Sequence, residues 1–428
     1  MGSHDIVGHL ISGGVLHMQP EQLFGMALGI VSPWEVKEIA FSKESSRLDI
    51  YIDFQKGAQF PCPVCGSLAP VHDTTEKQWR HLNFFQYEAY LHARVPRVTC
   101  PNSGCGVKQV AVPWARSGSG FTLLFEALVM TMAREMPVNV IARLFNVTDT
   151  RLWRLLDAYV EMARTKEDFS GVTRIGIDET AAKRGHDYVS FFFDLDRKKL
   201  LFGTTGKDST TISRFIADLE AHGGKPEQIT DAAIDMSKAF IKGVKEQLPN
   251  AVVTFDPFHV VRLMNDCLAK VRAEEARLFP DVLKKSRYLF LKNPEHLTIE
   301  QQHQLDSIID SQNLKSTEAY THKLNLQNVY FATSRPEAEA LLTHWYRKAS
   351  RSGIVQINKL ASTVKEHWDG ILSHFASKLT SGFLEGINSL IQAAKARARG
   401  YRNPKNLITM AYIIAGKLRF NSLYPLPT

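Results

Sequence analysis

The 428-residue chain has no apolar run long enough to cross a bilayer, and no basic-then-apolar leader of the secretory type. It has no internal repeat and no low-complexity segment. Cysteine is scarce, 5 in the whole chain, which argues against a disulfide scaffold and for a reducing, cytoplasmic setting. Residues 1–17 contain Gly, Ser and His without strong periodicity, and read as a cloning remnant ahead of Met18 as the natural start. What remains is ordinary globular material, 44% hydrophobic and 22% charged, with length for two to four domains. The formal charge of +8 and sequence pI of about 9.1 lean towards a polyanionic partner.

Four of the cysteines fall in two close pairs, Cys62-Pro63-Val64-Cys65-Gly66 and Cys100-Pro101-Asn102-Ser103-Gly104-Cys105. A strand-rich segment separates them, and four thiolates so arranged suit a tetrahedral zinc ion. A redox pair would leave the second half unexplained. The second gap is wider than the usual two residues. His72 and His81 are spare ligands, read as surface or DNA-facing. Between the pairs lie Lys77, Trp79, Arg80, His81, Tyr87, Tyr90, His92, Arg94 and Arg97. Interleaved basic and aromatic side chains can grip phosphates and stack on sugars or bases, or form a solvated strand face over buried aromatics. Cys267 stands alone and reads as an inert core thiol.

Downstream, Phe121 to Arg134 is apolar at helical spacing. Pro137 then opens a short helix through Phe145, Asn146-Val147 makes a tight turn, and Thr148 or Asp149 caps the next helix. That helix turns Leu152, Trp153, Leu155 and Leu156 inward and offers Thr150, Arg151 and Arg154 outside, the pattern of a helix-turn-helix. Residues 160–172 look like a polar linker.

The run Arg174-Ile175-Gly176-Ile177-Asp178-Glu179 reads as a buried strand delivering an acid to its tip. Strands follow at 188–196 and 199–203, then a helix at 210–222, a strand at 229–234 ending on Asp235, a helix at 237–248 and a strand at 251–255 ending on Asp256. This order suggests a ribonuclease-H-like sheet, whose first and fourth strands are neighbours and would bring Asp178 and Asp235 together. Two such carboxylates repel unless a divalent cation binds them, and two magnesium ions could activate a water or a 3′-hydroxyl. A third acid is offered by Glu385, on a helix capped near Ser381 with Phe383, Leu384, Ile387, Leu390 and Ile391 as its apolar positions. Beyond it, Lys395, Arg397, Arg399, Arg402 and Lys405 form a cationic run without any acid, suited to a nucleic-acid backbone.

Gly176-Ile177-Asp178-Glu179, Ile234-Asp235-Met236-Ser237, Phe255-Asp256-Pro257-Phe258-His259 and Ser381-Gly382-Phe383-Leu384-Glu385-Gly386-Ile387-Asn388 together resemble the DDE transposases of bacterial insertion sequences, in particular the ISL-three family. The resemblance spans nearly the whole chain. It implies that Asp178, Asp235 and Glu385 are a catalytic triad on a ribonuclease-H-like core with Mg2+ or Mn2+. It also implies DNA cleavage and strand transfer at terminal inverted repeats. The partners so implied are double-stranded DNA, both element ends and target, and a second copy in a synaptic homodimer. No membrane is expected; the setting is a bacterial cytoplasm, with nucleoid association when DNA is bound. Asp256 and His259 match a further motif and are placed near the site.

The expected architecture is therefore α+β and multidomain. A zinc-ribbon-like DNA-binding module spans 18–115 and a helix-turn-helix domain 116–165. The core occupies 172–260 and 377–428, interrupted at 261–376 by an all-helical insertion. Helices are read there at 263–279, 299–309, 338–350 and 354–375. Dimerisation and DNA clamping both fit that insertion. Two rivals remain at this point: another nuclease of the same fold, which would not need end-binding modules, and a non-enzymatic regulator, which would leave the acids without purpose.

Overall fold

The computed structural model describes residues 18–182, 187–311, 313–377 and 382–420. The expectations for residues 1–17 and for a cap near Ser381 lie outside them. The described residues divide into two compact units, one built on residues 18–156 with Phe420, the other on Asp157–Arg419.

The first unit opens with α1 (Pro20–Ala27) and a sheet of β1 (Trp34–Ser42), β2 (Arg47–Phe54), β3 (Gln59–Pro61), β4 (Leu68–Arg80), β5 (Glu88–Thr99) and β6 (Val107–Gln109). The sheet order is β1-β2-β5-β4-β3, with β6 on β5 and only the β2/β5 pair parallel. Alternation in β2 puts Leu48, Ile50 and Ile52 inside, where Trp34 meets Phe54, Phe60 and Trp114 at ring separations of 5.7, 5.2 and 5.1 Å. Three helices follow, α2 (Leu123–Glu135), α3 (Val138–Leu144) and α4 (Asp149–Arg164). Thr122 caps α2 through its hydroxyl, and Asn146 takes a left-handed φ of 51° to turn the chain between α3 and α4.

Residues 160–172 are not a linker. Helix α4 runs on to Arg164, Val160 and Ala163 are buried, and Phe169 and Val172 are fully buried core residues of the second unit. The segment is polar by count, but four of its apolar residues, Val160, Ala163, Phe169 and Val172, point inward, Met162 alone of its larger apolar residues being exposed. Arg164 donates to both oxygens of Asp218 at 2.9 and 2.7 Å and lies over the Tyr412 ring.

The second unit holds a sheet of β7 (Arg174–Ala181), β8 (Tyr188–Asp194), β9 (Lys199–Thr205), β10 (Asp231–Ile234) and β11 (Val252–Phe255), in the order β11-β10-β7-β8-β9. The first three strands are antiparallel, while β10 and β11 run parallel to β7. Helix α5 (Thr210–Ala221) covers one face, Phe215 stacking on Phe192 at 4.4 Å, and α6 (Lys238–Gln247) joins β10 to β11. β7 does not stop at its acid: pairing with β8 continues from Asp178 to Ala181, so Asp178 lies mid-strand, past the last residue paired with β10.

After β11 come α7 (Pro257–Glu275), α8 (Pro280–Leu283), α9 (Arg287–Leu291), α10 (Ile299–Ser311), α11 (Lys315–Val329), α12 (Arg335–Ala349), α13 (Val355–Glu366) and α14 (Trp368–Ser377). The single helix expected at 354–375 is broken at His367, and α11 was not expected at all. The buried side of α11 includes Ser316, His322 and Lys323, so polar residues stand where an apolar stripe would have shown. Lys323 caps the end of α9, donating to the carbonyls of Phe290, Leu291 and Lys292 at 3.2, 2.8 and 2.8 Å. The other face of the sheet receives α15 (Gly382–Arg397) and α16 (Pro404–Ala415). Gly203 admits α16, because a Cβ there would lie 3.0 Å from Ile408.

Candidate active site and metal centre

The four paired cysteines converge. Their sulfur atoms all lie within 4.8 Å of one another, and among the described residues no other group of His, Cys, Asp or Glu gathers in this way. Gly66, at φ 76°, closes the first knuckle with its N–H on the Cys62 carbonyl at 2.8 Å. The wider second gap is taken up by a turn, Cys105 N–H to Asn102 O at 3.0 Å, and the Asn102 amide donates to Cys65 Sγ at 3.2 Å. Hydrogen bonds from Ser67 pull the Cys65 thiol down to about 6, while burial pushes Cys105 up to about 12. Four thiols this close cannot all ionise beside one another, and a dication resolves the conflict. His81 is not a ligand. Its Nδ1 sits 2.8 Å from the Thr122 hydroxyl, and burial lowers it to about 4. His72 is exposed and outside the cluster.

The basic residues of this unit fare differently from one another. Arg80 does not face DNA. It is 1% exposed and spends its guanidinium on the carbonyls of Ala89 and Phe145, at 3.2 and 3.5 Å, between the rings of Tyr90 and Phe125. Arg94 and Arg97 are exposed and each forks onto one carboxylate, Asp53 and Asp73 respectively. Arg151 and Arg154 stand exposed on the first turns of α4, Arg151 lying 4.4 Å over the Phe121 ring.

In the second unit the acids gather at one edge of the sheet. Parallel register pairs Asp231 with Arg174 and Ala233 with Gly176, and it pairs Ile234 with Phe255. Past the last of these pairs, Asp178 on β7 and Asp235 and Asp256 just beyond the ends of β10 and β11 fall at the same edge of three adjacent strands, close enough for the charges of Asp235 and Asp256 to act on Asp178. Asp235 Oδ1 accepts from Ser237 N–H at 2.9 Å ahead of α6. Asp256 caps α7, accepting from Phe258 N–H at 2.9 Å, which places His259 in the first turn of that helix. Burial lifts the Asp178 carboxyl to about 6; the charges of Asp235 and Asp256 push the same way, against the Glu179 N–H and His259. Glu179 is raised too, chiefly by burial and next by Asp235. A site that favours the protonated acid when empty is one that a divalent cation would relieve.

Helix α15 meets β7 in step. Gly176, Asp178 and Thr180 share one face of the strand. They face Leu384, Asn388 and Gln392, which share one face of the helix. Two residues of strand and four of helix advance by nearly the same distance, about 6–7 Å, so the two periods match. A Cβ on Gly176 would lie 2.8 Å from Leu384, so glycine permits the approach. Asn388 donates to Asp178 Oδ2, and Gln392 to the Thr180 hydroxyl. Glu385, one turn before Asn388, is exposed. Its carboxylate oxygens and those of Asp178 and Asp235 are not all within 4.8 Å of one another. Leu390, read as an apolar anchor, is 53% exposed; Leu384 and Ile391 are the buried ones. Lys395, Arg397, Arg399 and Arg402 occupy the end of α15 and the turn beyond it, next to buried Tyr401.

A family model described as transposase matches residues 175–411, more than half of the chain and all of the strands and helices that carry the acids. The chain belongs to the ISL3 family of transposases, the ISL-three family resembled by its motifs. The helix-turn-helix domain of transposase family ISL3 matches residues 110–160. The zinc finger of the transposases of IS204, IS1001, IS1096 and IS1165 matches 58–105. The transposase for insertion sequence element IS1557 from Mycobacterium tuberculosis is 29% identical, over 92% of this chain and 96% of its own. The transposase for IS1001 from Bordetella parapertussis is 28% identical, over 80% and 85%. This ISL3 transposase is a DNA-binding enzyme with a zinc-ribbon module, which sets aside the readings as a non-enzymatic regulator and as another nuclease. No helix among its described residues is long and apolar enough to cross a membrane. Helical spacing already puts Asn388 and Gln392 on the polar face of the transposase helix that carries Glu385, three and seven residues on; what the structure adds is their partners, Asp178 and Thr180.

Proposed function

We propose that Asp178, Asp235 and Glu385 are the catalytic acids of a ribonuclease-H-like core into which the helices after α7 are an all-helical insertion. On this reading the transposase cuts at the terminal inverted repeats of an insertion sequence and joins the freed 3′-hydroxyl to target DNA, working as a homodimer in the synaptic complex. The observation that carries it is the placement of two acids at one edge of neighbouring parallel strands, Asp178 on β7 and Asp235 just past β10, with α15 bound to Asp178 a single turn from Glu385. Magnesium or manganese held by these acids would supply activation of the attacking oxygen and charge stabilisation of the leaving one. The chain's own residues do the positioning. Asn388 and the Glu179 N–H fix both oxygens of Asp178, and Ser237 fixes Asp235. His259, in the first turn of α7, favours the charged form of Asp178. Arg151 and Arg154 read element ends, and the cationic run at 395–402 holds backbone. The proposed domains are 18–115, 116–165, 172–260, 261–376 and 377–428.

Asp178→Asn, Asp235→Asn and Glu385→Gln should each lower cleavage of a duplex carrying the element end by more than about 100-fold, beyond what loss of a metal-site supporting residue costs. Binding of the same duplex should persist. Wild-type cleavage by any one variant removes that residue from the site.

A further inference from the structure

Helices α11 and α12 pack together, Trp345 Nε1 donating to the His322 carbonyl at 2.9 Å, and leave a groove along one side. Its α12 wall is cationic. His344, Arg347 and Lys348, with Arg351 just past the helix end, recur at steps of three, one and three residues and therefore share one face. All four are exposed, and among the described residues Arg347, Lys348 and Arg351 form no ion pair. The α11 wall presents Thr321 and Asn325, a hydroxyl and an amide at helical spacing. Between the walls His322 is 6% exposed, and its Nδ1 makes no hydrogen bond among the described residues. One acid is present: Glu318, 3.8 Å from His322 Nε2 at the rim. Three permanent cations against one carboxylate leave the groove net positive.

A helix face carrying only cations is ordinarily a solvated surface. Here it is concave, and it is faced by neutral polar side chains on α11. We propose that the α11–α12 groove is a phosphate-backbone site for double-stranded DNA, separate from the helix-turn-helix and from the cationic run beside Glu385. Arg347 and Arg351 grip phosphate oxygens, and the Asn325 amide supplies a neutral hydrogen bond, the Thr321 hydroxyl being donated to the Thr317 carbonyl at 3.1 Å. Such a site holds DNA without reading its sequence.

The test uses the full chain with Arg347→Ala, Lys348→Ala and Arg351→Ala combined. Binding to two fluorescein-labelled duplexes, one carrying the element end and one scrambled, is followed by anisotropy over a series of KCl concentrations. For each phosphate that is no longer neutralised, the slope of log K against log[salt] should fall by about 0.9, and affinity for both duplexes should drop about tenfold or more at low salt. Superimposable isotherms and slopes overturn the proposal. So does a change confined to sedimentation behaviour, which would make the groove a seat for a second copy, or a loss seen only on the element end. Thermal melts check that the variant folds; if it does not, Arg347→Gln with Arg351→Gln is read in the same assay. No cleavage is measured, so the result is independent of the role proposed for the acids.

Discussion

Asp178 is the residue on which chemistry and stability meet. Its carboxyl, at 3.8 in the unfolded chain, is raised to about 6 in the fold, first by burial and then by the neighbouring acids. Between about pH 4 and pH 6 the folded state therefore holds a proton that the unfolded state has released, and stability falls as pH rises through that window. Above it the charged carboxylate costs up to about 3 kcal/mol, two pK units at roughly 1.4 each. In EDTA near pH 7.5, Asp178→Asn should raise the denaturation midpoint and flatten the profile between about pH 4 and 6, while cleavage is lost. Parallel profiles for the two proteins would show that the carboxyl is not destabilising. Asp178 was legible because an acid ending a β-branched run is rare in a buried strand. Arg80 was not, because nothing in its local spacing distinguishes a guanidinium over DNA from one pinned on carbonyls.

At the scale of elements, helix faces divide the work of holding DNA. Replacing Arg151 and Arg154 on α4 together should erode discrimination between element ends and random sequence, by about 1–3 kcal/mol for each base edge no longer read. Replacing Lys395, Arg397, Arg399 and Arg402 should weaken binding to all sequences alike and flatten the salt dependence. Parallel isotherms on specific and scrambled duplexes separate the two, and unchanged discrimination in the first variant would move end reading to the cysteine module. Arg80→Ala belongs to neither class. It strips the bond to the Ala89 carbonyl and opens a void, so it should cost about 2–4 kcal/mol of folding, read as a lower denaturant midpoint. Elements with a clean period were visible beforehand: β8, α5 and the α3–α4 pair stand close to where their patterns put them. Helix α11 was invisible because its buried side is partly polar, its cost met by Lys323 bonding to the end of α9.

At the scale of the whole molecule, stability rests on separate cores. The first unit packs around Trp34 and the second around its sheet, and only the first includes the four thiols. Structural zinc contributes folding free energy directly, so chelation or Cys65→Ser should unfold the first unit while the second keeps its own transition. Calorimetry with and without chelator should show one transition moving and one staying. Freshly purified protein without zinc, its four thiols freely titratable, would contradict the site.

Local order determined much of this protein in advance. Two thiol pairs, a Pro-opened helix before an Asn turn, and acids closing apolar runs are properties of neighbouring residues, and neighbours alone can show them. Tertiary structure decided the rest, because it depends on register and on which faces meet. Asp178, Asp235 and Asp256 come to one sheet edge only once parallel pairing fixes the offset between distant strands. Asn388 reaches Asp178 only because Gly176 lets α15 lie against β7, with the helix and strand periods in step across about 210 residues of intervening sequence.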